Sequence, residues 1–161
     1  MSEQTAEAER HAEDAQDAED AQDAEDAQDA EQVARAYIEL WNERVYERIP
    51  DLVSESFVHV DPDGEEFSGR DGLEAFMRAV VGGFSDFHVD VRELLADDGV
   101  VMYRAVLRMT HDGAFQGVPA TGERFEIEDM GIVRVANGLV TEHRVYYDKG
   151  AVRDRLASAA A

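Results

Sequence analysis

Apolar residues in the first half of the chain recur at helical spacing. Through "EQVARAYIELWNERVYE", Val33, Tyr37, Leu40, Trp41 and Val45 fall on one face, which predicts an amphipathic helix beginning near Glu31. Pro50, whose φ is pre-set for a first helical turn, then opens a short helix ending near Glu55. Residues 57–61 read as a short strand. A second amphipathic helix carries Leu73, Phe76, Met77, Val80 and Val81, and Gly82 and Gly83 close it.

Beyond residue 85 the period changes to two. Strands are predicted at 86–96, 99–111, 123–136 and 139–148, punctuated by the hairpin signals "DDG" (Asp97 to Gly99) and "NG" (Asn137, Gly138). Helices followed by an antiparallel meander mean α+β: a curved antiparallel sheet packed on the N-terminal helices, forming a cone with an open mouth. Alternation then sorts the side chains. Val101, Tyr103, Ala105, Leu107, Met109 and His111 face inward, as do Phe125, Ile127, Asp129, Gly131 and Val133, and Leu139, Thr141, His143, Val145 and Tyr147. The opposite face holds Arg104, Arg108, Glu126, Glu128, Arg134, Glu142 and Arg144, a ladder of opposite charges suited to solvent or to a homodimer contact.

Residues 12–29 are three copies of the hexamer "AEDAQD", with no apolar side chain larger than alanine. Such a segment cannot offset its ordering entropy by burial. Residues 1–30 therefore read as a solvated acidic tail, disordered or partly helical where it joins the first real helix, and 31–157 as the folded domain. A six-residue period does not meet the heptad rule of a coiled coil.

Charge narrows the function classes. The chain of 161 residues has a formal charge of -22, no cysteine, and Lys149 as its single lysine. No nucleic-acid partner is expected, because phosphate binding needs a basic surface. No apolar run approaches the roughly 20 residues of a membrane span, so no membrane partner is expected and a cytoplasmic location is. Acidic surfaces with almost no lysine predict adaptation to a salt-rich, halophilic cytoplasm. Without cysteine or a His/acid pair at ligand spacing, neither a metal nor another cofactor is expected.

Four groups carry candidate chemistry. In "HVDPDG", Pro62, Asp63 and Gly64 form a turn, and Asp61 sits just before it, in phase with Phe57 and His59. A carboxylate there can serve as a general base in the cone. On the sheet, His111, Asp129 and His143 are the polar groups of the inward face. A buried carboxylate must be paired or protonated, and Asp129 has His143 or His111 as candidate partners.

"THDGAFQGVPATGERFEIEDMGIVRVANGLVTEHRVYYD", Thr110 to Asp148, resembles the SnoaL-like polyketide cyclase and ester cyclase family, whose members carry a T-H-x-G-x-F-x-G-I-P-P-T-G-R segment and a later G-K-I-x-E-H strand. "AYIELWNERVYERIPDLV" and "GRDGLEAFMRAV" extend the resemblance over roughly 32–148. It implies the nuclear transport factor 2-like cone. It also implies catalytic Asp and His positions, which here hold Val145 and Gly131. The C-terminal "KGAVRDRLASAAA" lacks the family's Q-L-G ending, which leaves no expectation that it closes the pocket. A shorter similarity to ketosteroid isomerases, in "YIELWN" and "VHVDP", implies Tyr37 as an oxyanion donor and Asp61 as a proton-shuttling base, with a sheet acid again at Gly131.

Two functions fit. One is a cyclase or isomerase acting on a small, largely apolar carbonyl compound, with Asp61 as base, Tyr37 as donor, and Asp129, His143 or His111 replacing the lost sheet group. The other is a non-catalytic module of the same fold that binds a small apolar ligand. Trp41, Phe57, His59, Tyr103, Met109, His111, Phe115 and Tyr147, with Gly131 and Val145, are expected to line either pocket.

Overall fold

A computed structural model describes residues 2–160, with side chains from residue 7 onward. Helix α1 runs from Ser2 to Glu43 without a break. Alanine, glutamate and glutamine favour helix, and Gln16 and Gln22 each donate to the aspartate four residues on, at 2.9 and 2.8 Å. The change near residue 30 is one of burial: the stretch before it is almost wholly exposed, while Ala30, Ala34, Tyr37, Ile38, Leu40 and Trp41 are buried. Arg44, at φ 61°, ends the helix in the left-handed conformation and donates its N–H to the Leu40 carbonyl.

The next helix is shorter than its propensity predicts. After a one-turn 3-10 segment at Tyr46–Arg48, α2 spans Ile49–Leu52 and strand β1 spans Val53–Val60. Val53 is fully buried and pairs with Val140 in the sheet, so tertiary pairing claims residues the helix would otherwise hold. The "DPDGE" turn then folds back a short strand that periodicity does not reveal, β2 (Glu66–Ser68), with Gly64 at φ 84°. Helix α3 spans Gly69–Gly83, and β3 (His88–Asp97), β4 (Val100–Thr110), β5 (Arg124–Ala136) and β6 (Leu139–Tyr146) follow.

These strands form one six-stranded sheet in the order β2-β1-β6-β5-β4-β3. All neighbours are antiparallel except β1 and β6, which pair in parallel, so the expected antiparallel sheet is mixed at that seam. Register shifts in β1, in β3 and between β5 and β6 bend the sheet around α1 and α3. The last shift corrects the inward set: Val140 is fully buried, while Leu139 and Thr141 are only partly so. The remaining inward assignments on β4, β5 and β6 fall on buried or partly buried positions. The outer face carries the charge ladder, including Arg104 to Glu93 at 2.9 Å and Arg108 to Glu126 at 2.8 Å.

A helix unanticipated from periodicity, α4 (Lys149–Ala159), follows the last strand. Asp148 caps it by accepting from the Ala151 N–H at 2.8 Å, Leu156 is buried, and Arg155 reaches Glu123 at 2.8 Å. Among the described residues no helix is long and apolar enough to cross a membrane.

Because no buried side chain is described before Ala30, deleting residues 1–25 is expected to move the thermal midpoint by less than about 2 °C. A calorimetric scan showing a loss of several degrees would mean the exposed half of α1 stabilises the domain.

Candidate functional site

The sheet, α1, α3 and α4 enclose a cavity of about 100 Å³. Its walls are mostly apolar, with Trp41 and Ile38 from α1, Phe76 and Val80 from α3, and Val152 from α4. Val152 brings α4 into the pocket wall, so the C-terminal segment contributes to the lining although it lacks the family's usual ending. Phe115 reaches the cavity from the loop between β4 and β5. That loop lies so close to the end of α3 that a Cβ on Gly113 would sit 1.9 Å from the Gly82 carbonyl oxygen, and one on Gly83 would sit 2.7 Å from the Phe115 Cβ. Glycines at the helix end thus admit the loop as well as stopping the helix.

A chain of four polar side chains crosses the apolar interior. Asp129 Oδ2 lies 3.2 Å from the Tyr103 hydroxyl, which lies 2.8 Å from His143 Nε2; His143 Nδ1 is 2.9 Å from the Tyr37 hydroxyl. Burial, reinforced by the charge of His59, holds the His143 pKa well below its ordinary value, so the ring is neutral. Burial raises both phenol pKa values, Tyr103 further through the charge of Asp129, so both keep their protons. One polarity makes all three hydrogen bonds of the chain when Asp129 is ionised: Tyr37 donates to Nδ1, Nε2–H donates to Tyr103, and Tyr103 donates to Asp129. Burial pushes the Asp129 carboxyl up to about 7, against the Tyr103 hydrogen bond and with the repulsion of Asp61. Its Oδ1 is buried without a protein partner.

Asp61 stands elsewhere on the wall. It accepts from His59 Nε2 at 3.2 Å and from Lys149 Nζ at 2.9 Å. Desolvation raises its pKa, but the hydrogen bonds and charges of His59 and Lys149 outweigh that and leave it below the ordinary aspartate value. Tyr37 is spent on His143, and the cationic partner of Asp61 is Lys149, which no periodic signal marks. Lys149 also meets Asp63 at 2.9 Å and Glu65 at 3.5 Å. The oxygens of these three acids lie within 4.8 Å of one another, an arrangement of the kind that holds a cation, and the ammonium already sits there.

Other expected site residues divide as follows. Trp41, His59, Asp61, Tyr103, Met109, Phe115, Asp129, His143, Val145 and Tyr147 line the cavity. Tyr37, Phe57, His111 and Gly131 do not. Phe57 packs beneath Tyr37, with ring centroids 5.9 Å apart. His111 is fully buried at the base of the β4–β5 loop, where Nδ1 meets the Thr121 hydroxyl at 3.0 Å and its backbone pairs with Glu123 and Gly122. It is therefore a loop staple, and Asp129 pairs with neither histidine directly. At Gly131 the expected polar group is supplied from the next strand, by Tyr103, whose ring lies over the glycine. Asp148 serves as the cap of α4.

The Asp129 shift has a consequence for stability. A carboxyl at 3.8 when unfolded and about 7 when folded binds more protons in the folded state between those values, so its contribution falls as pH rises through that window. Asp129→Asn, which keeps an oxygen acceptor for Tyr103, is expected to match the wild type near pH 4 and to be more stable at pH 8 by about 2 to 4 kcal/mol. Urea melts at the two pH values measure this; equal differences at both would show that Asp129 titrates normally.

The fold and the site can be set beside known proteins. The solved structures of a candidate SnoaL-like polyketide cyclase from Jannaschia sp. CCS1 (22% identity, TM-score 0.72, 79% of this chain and 92% of that one), of AclR, a candidate hydroxylase from Streptomyces galilaeus (24%, 0.70, 82% and 83%), and of IdmH, a candidate polyketide cyclase from Streptomyces antibioticus (24%, 0.68, 80% and 98%), share the architecture. At these identities they show the fold alone. No protein of curated function matches. The sequence profile of the SnoaL-like polyketide cyclases matches residues 31–156, the whole cone together with most of α4. The chain belongs to the SnoaL-like polyketide cyclase family.

Proposed function

We propose that the chain is an acid–base enzyme of cyclase or isomerase type, acting on a small, largely apolar carbonyl compound held in the cone. The observation that carries this reading is Asp129: a carboxyl 3% exposed, on an apolar cavity wall, pushed up to about 7, with one oxygen unpartnered. A group with that pKa is matched to proton transfer near neutral pH. As a carboxylate, Asp129 removes a proton from the carbon beside the carbonyl, and the C–H electron pair becomes the enolate. Returned to a different carbon, the proton completes an isomerisation; attack of the enolate carbon on a second carbonyl of the same molecule closes a ring, the C=O electron pair moves onto oxygen, and the alkoxide so formed takes the proton back from Asp129. His59 Nδ1, also buried without a partner on the cavity wall, offers a second polar contact to the substrate.

Asp61 takes a different part from the one its position before the turn implies. Held below its ordinary pKa by His59 and Lys149, it is a weak base, and we assign it to orienting His59 and pinning the mouth. The same fact favours a second reading, a binding module without turnover, since Asp61 and both nitrogens of His143 are committed to protein partners.

Deuterium exchange at the α-carbon of 2-tetralone, followed by NMR, separates the two. The enzyme reading expects exchange well above the buffer rate, reduced about 100-fold or more by Asp129→Asn. Saturable binding of 2-naphthol by fluorescence, with no exchange of 2-tetralone or of any member of a panel of ketones and 1,3-diketones, would establish the binding module instead.

We also propose that two copies pair through the outer face of the sheet. There Met102, Met130 and Tyr146 are 48%, 53% and 53% exposed within the Arg/Glu ladder, and Leu95, opposite Met102, is 78% exposed. Sedimentation is expected to give a dimer that weakens on Arg104→Glu or Arg144→Glu. A dimer indifferent to both changes, or a wild-type monomer at about 100 μM, would exclude this contact.

A further inference from the structure

Gly131 sits in the middle of β5, opposite Tyr103 on β4 and Val145 on β6. Its φ lies outside the left-handed region, so its backbone asks for no glycine. Only space asks for one. A Cβ built on Gly131 would lie 2.3 Å from both Cε1 and Cζ of Tyr103 and 2.4 Å from its hydroxyl oxygen. The Tyr103 ring therefore lies across the neighbouring strand, with its phenol where a side chain at 131 would stand. From there the hydroxyl reaches His143 at 2.8 Å and Asp129 at 3.2 Å.

We propose that Gly131 and Tyr103 form one device: the bare glycine is a positioning residue that lets β4 deliver a hydroxyl to a place β5 would otherwise fill, and that hydroxyl joins Asp129 to His143. The inward polar group expected at position 131 has thus moved to the facing strand. Tyr103 lines the cavity, and the proposal extends to its hydroxyl meeting the oxygen of a bound carbonyl compound. This last step rests on the acid–base reading above; the positioning step does not.

Titration of the Asp129 carboxyl by carbon-13 NMR, assigned with Asp129→Asn, tests the positioning without any substrate. The Tyr103 hydrogen bond lowers the Asp129 pKa, so Tyr103→Phe is expected to raise the midpoint by about one pH unit. Gly131→Ala, which leaves Tyr103 in the sequence, is expected to raise it similarly, and the double variant to add nothing further. Should Gly131→Ala fail to fold, Tyr103→Leu makes room: it is expected to raise the midpoint, and Tyr103→Leu with Gly131→Ser, which supplies a hydroxyl from position 131, to bring it back toward the wild type. An unchanged midpoint in Tyr103→Phe, an unchanged midpoint in folded Gly131→Ala, or no return with the serine would overturn the proposal. If the midpoints shift as expected while the wild type exchanges no deuterium into 2-tetralone or into any member of the panel of ketones and 1,3-diketones, the positioning stands and the enzyme reading fails.

Discussion

A polar atom enclosed by apolar walls must find its hydrogen bond inside the protein, since leaving one unmade costs about 1 to 3 kcal/mol. In this cone that requirement falls on Asp129, Tyr103, His143 and Tyr37, which come from three strands and a helix. Each satisfies the next, so α1 is tied to β6 by Tyr37, β6 to β4 by His143, and β4 to β5 by Tyr103. Burial supplies the free energy of folding, but hydrophobic contact alone is non-directional. The backbone ladder sets the strands against one another, and this polar chain adds a directional tie that joins α1 to them and ends on one oxygen with no protein partner.

Much of the fold was legible because its elements are periodic. Alternation along β4 and β5 placed Tyr103, Asp129 and Gly131 on the inner face without knowledge of any contact. The sheet's departures from the pattern have local causes: β1 takes Val53 from the helix because Val53 is buried against β6, and the β5–β6 bulge turns Val140 inward. Neither α4 nor β2 shows an apolar period long enough to read.

The site was less legible because its contacts depend on register, and register is visible only where turns are short. The two-residue turns at Asp98–Gly99 and Asn137–Gly138 fix β3 against β4 and, up to the bulge, β5 against β6. Between β4 and β5 runs the long loop from His111 to Glu123, so nothing in the linear pattern sets Tyr103 opposite Gly131. Family spacing likewise placed Tyr37 beside Asp61, whereas the helix delivers it to His143. Lys149 lies beyond the last periodic residue, and only its being the single lysine set it apart.

The cluster around Lys149 is also an electrostatic surface. Asp61, Asp63 and Glu65 surround one ammonium, which leaves the rim with a net negative charge even when Lys149 is fully engaged. A carboxylated or phosphorylated compound approaching the cone meets repulsion at the rim and again from a chain of formal charge -22. A neutral molecule meets neither. For the function proposed above, the charge of this rim favours an uncharged compound over an ionised one before the shape of the cavity bears on either.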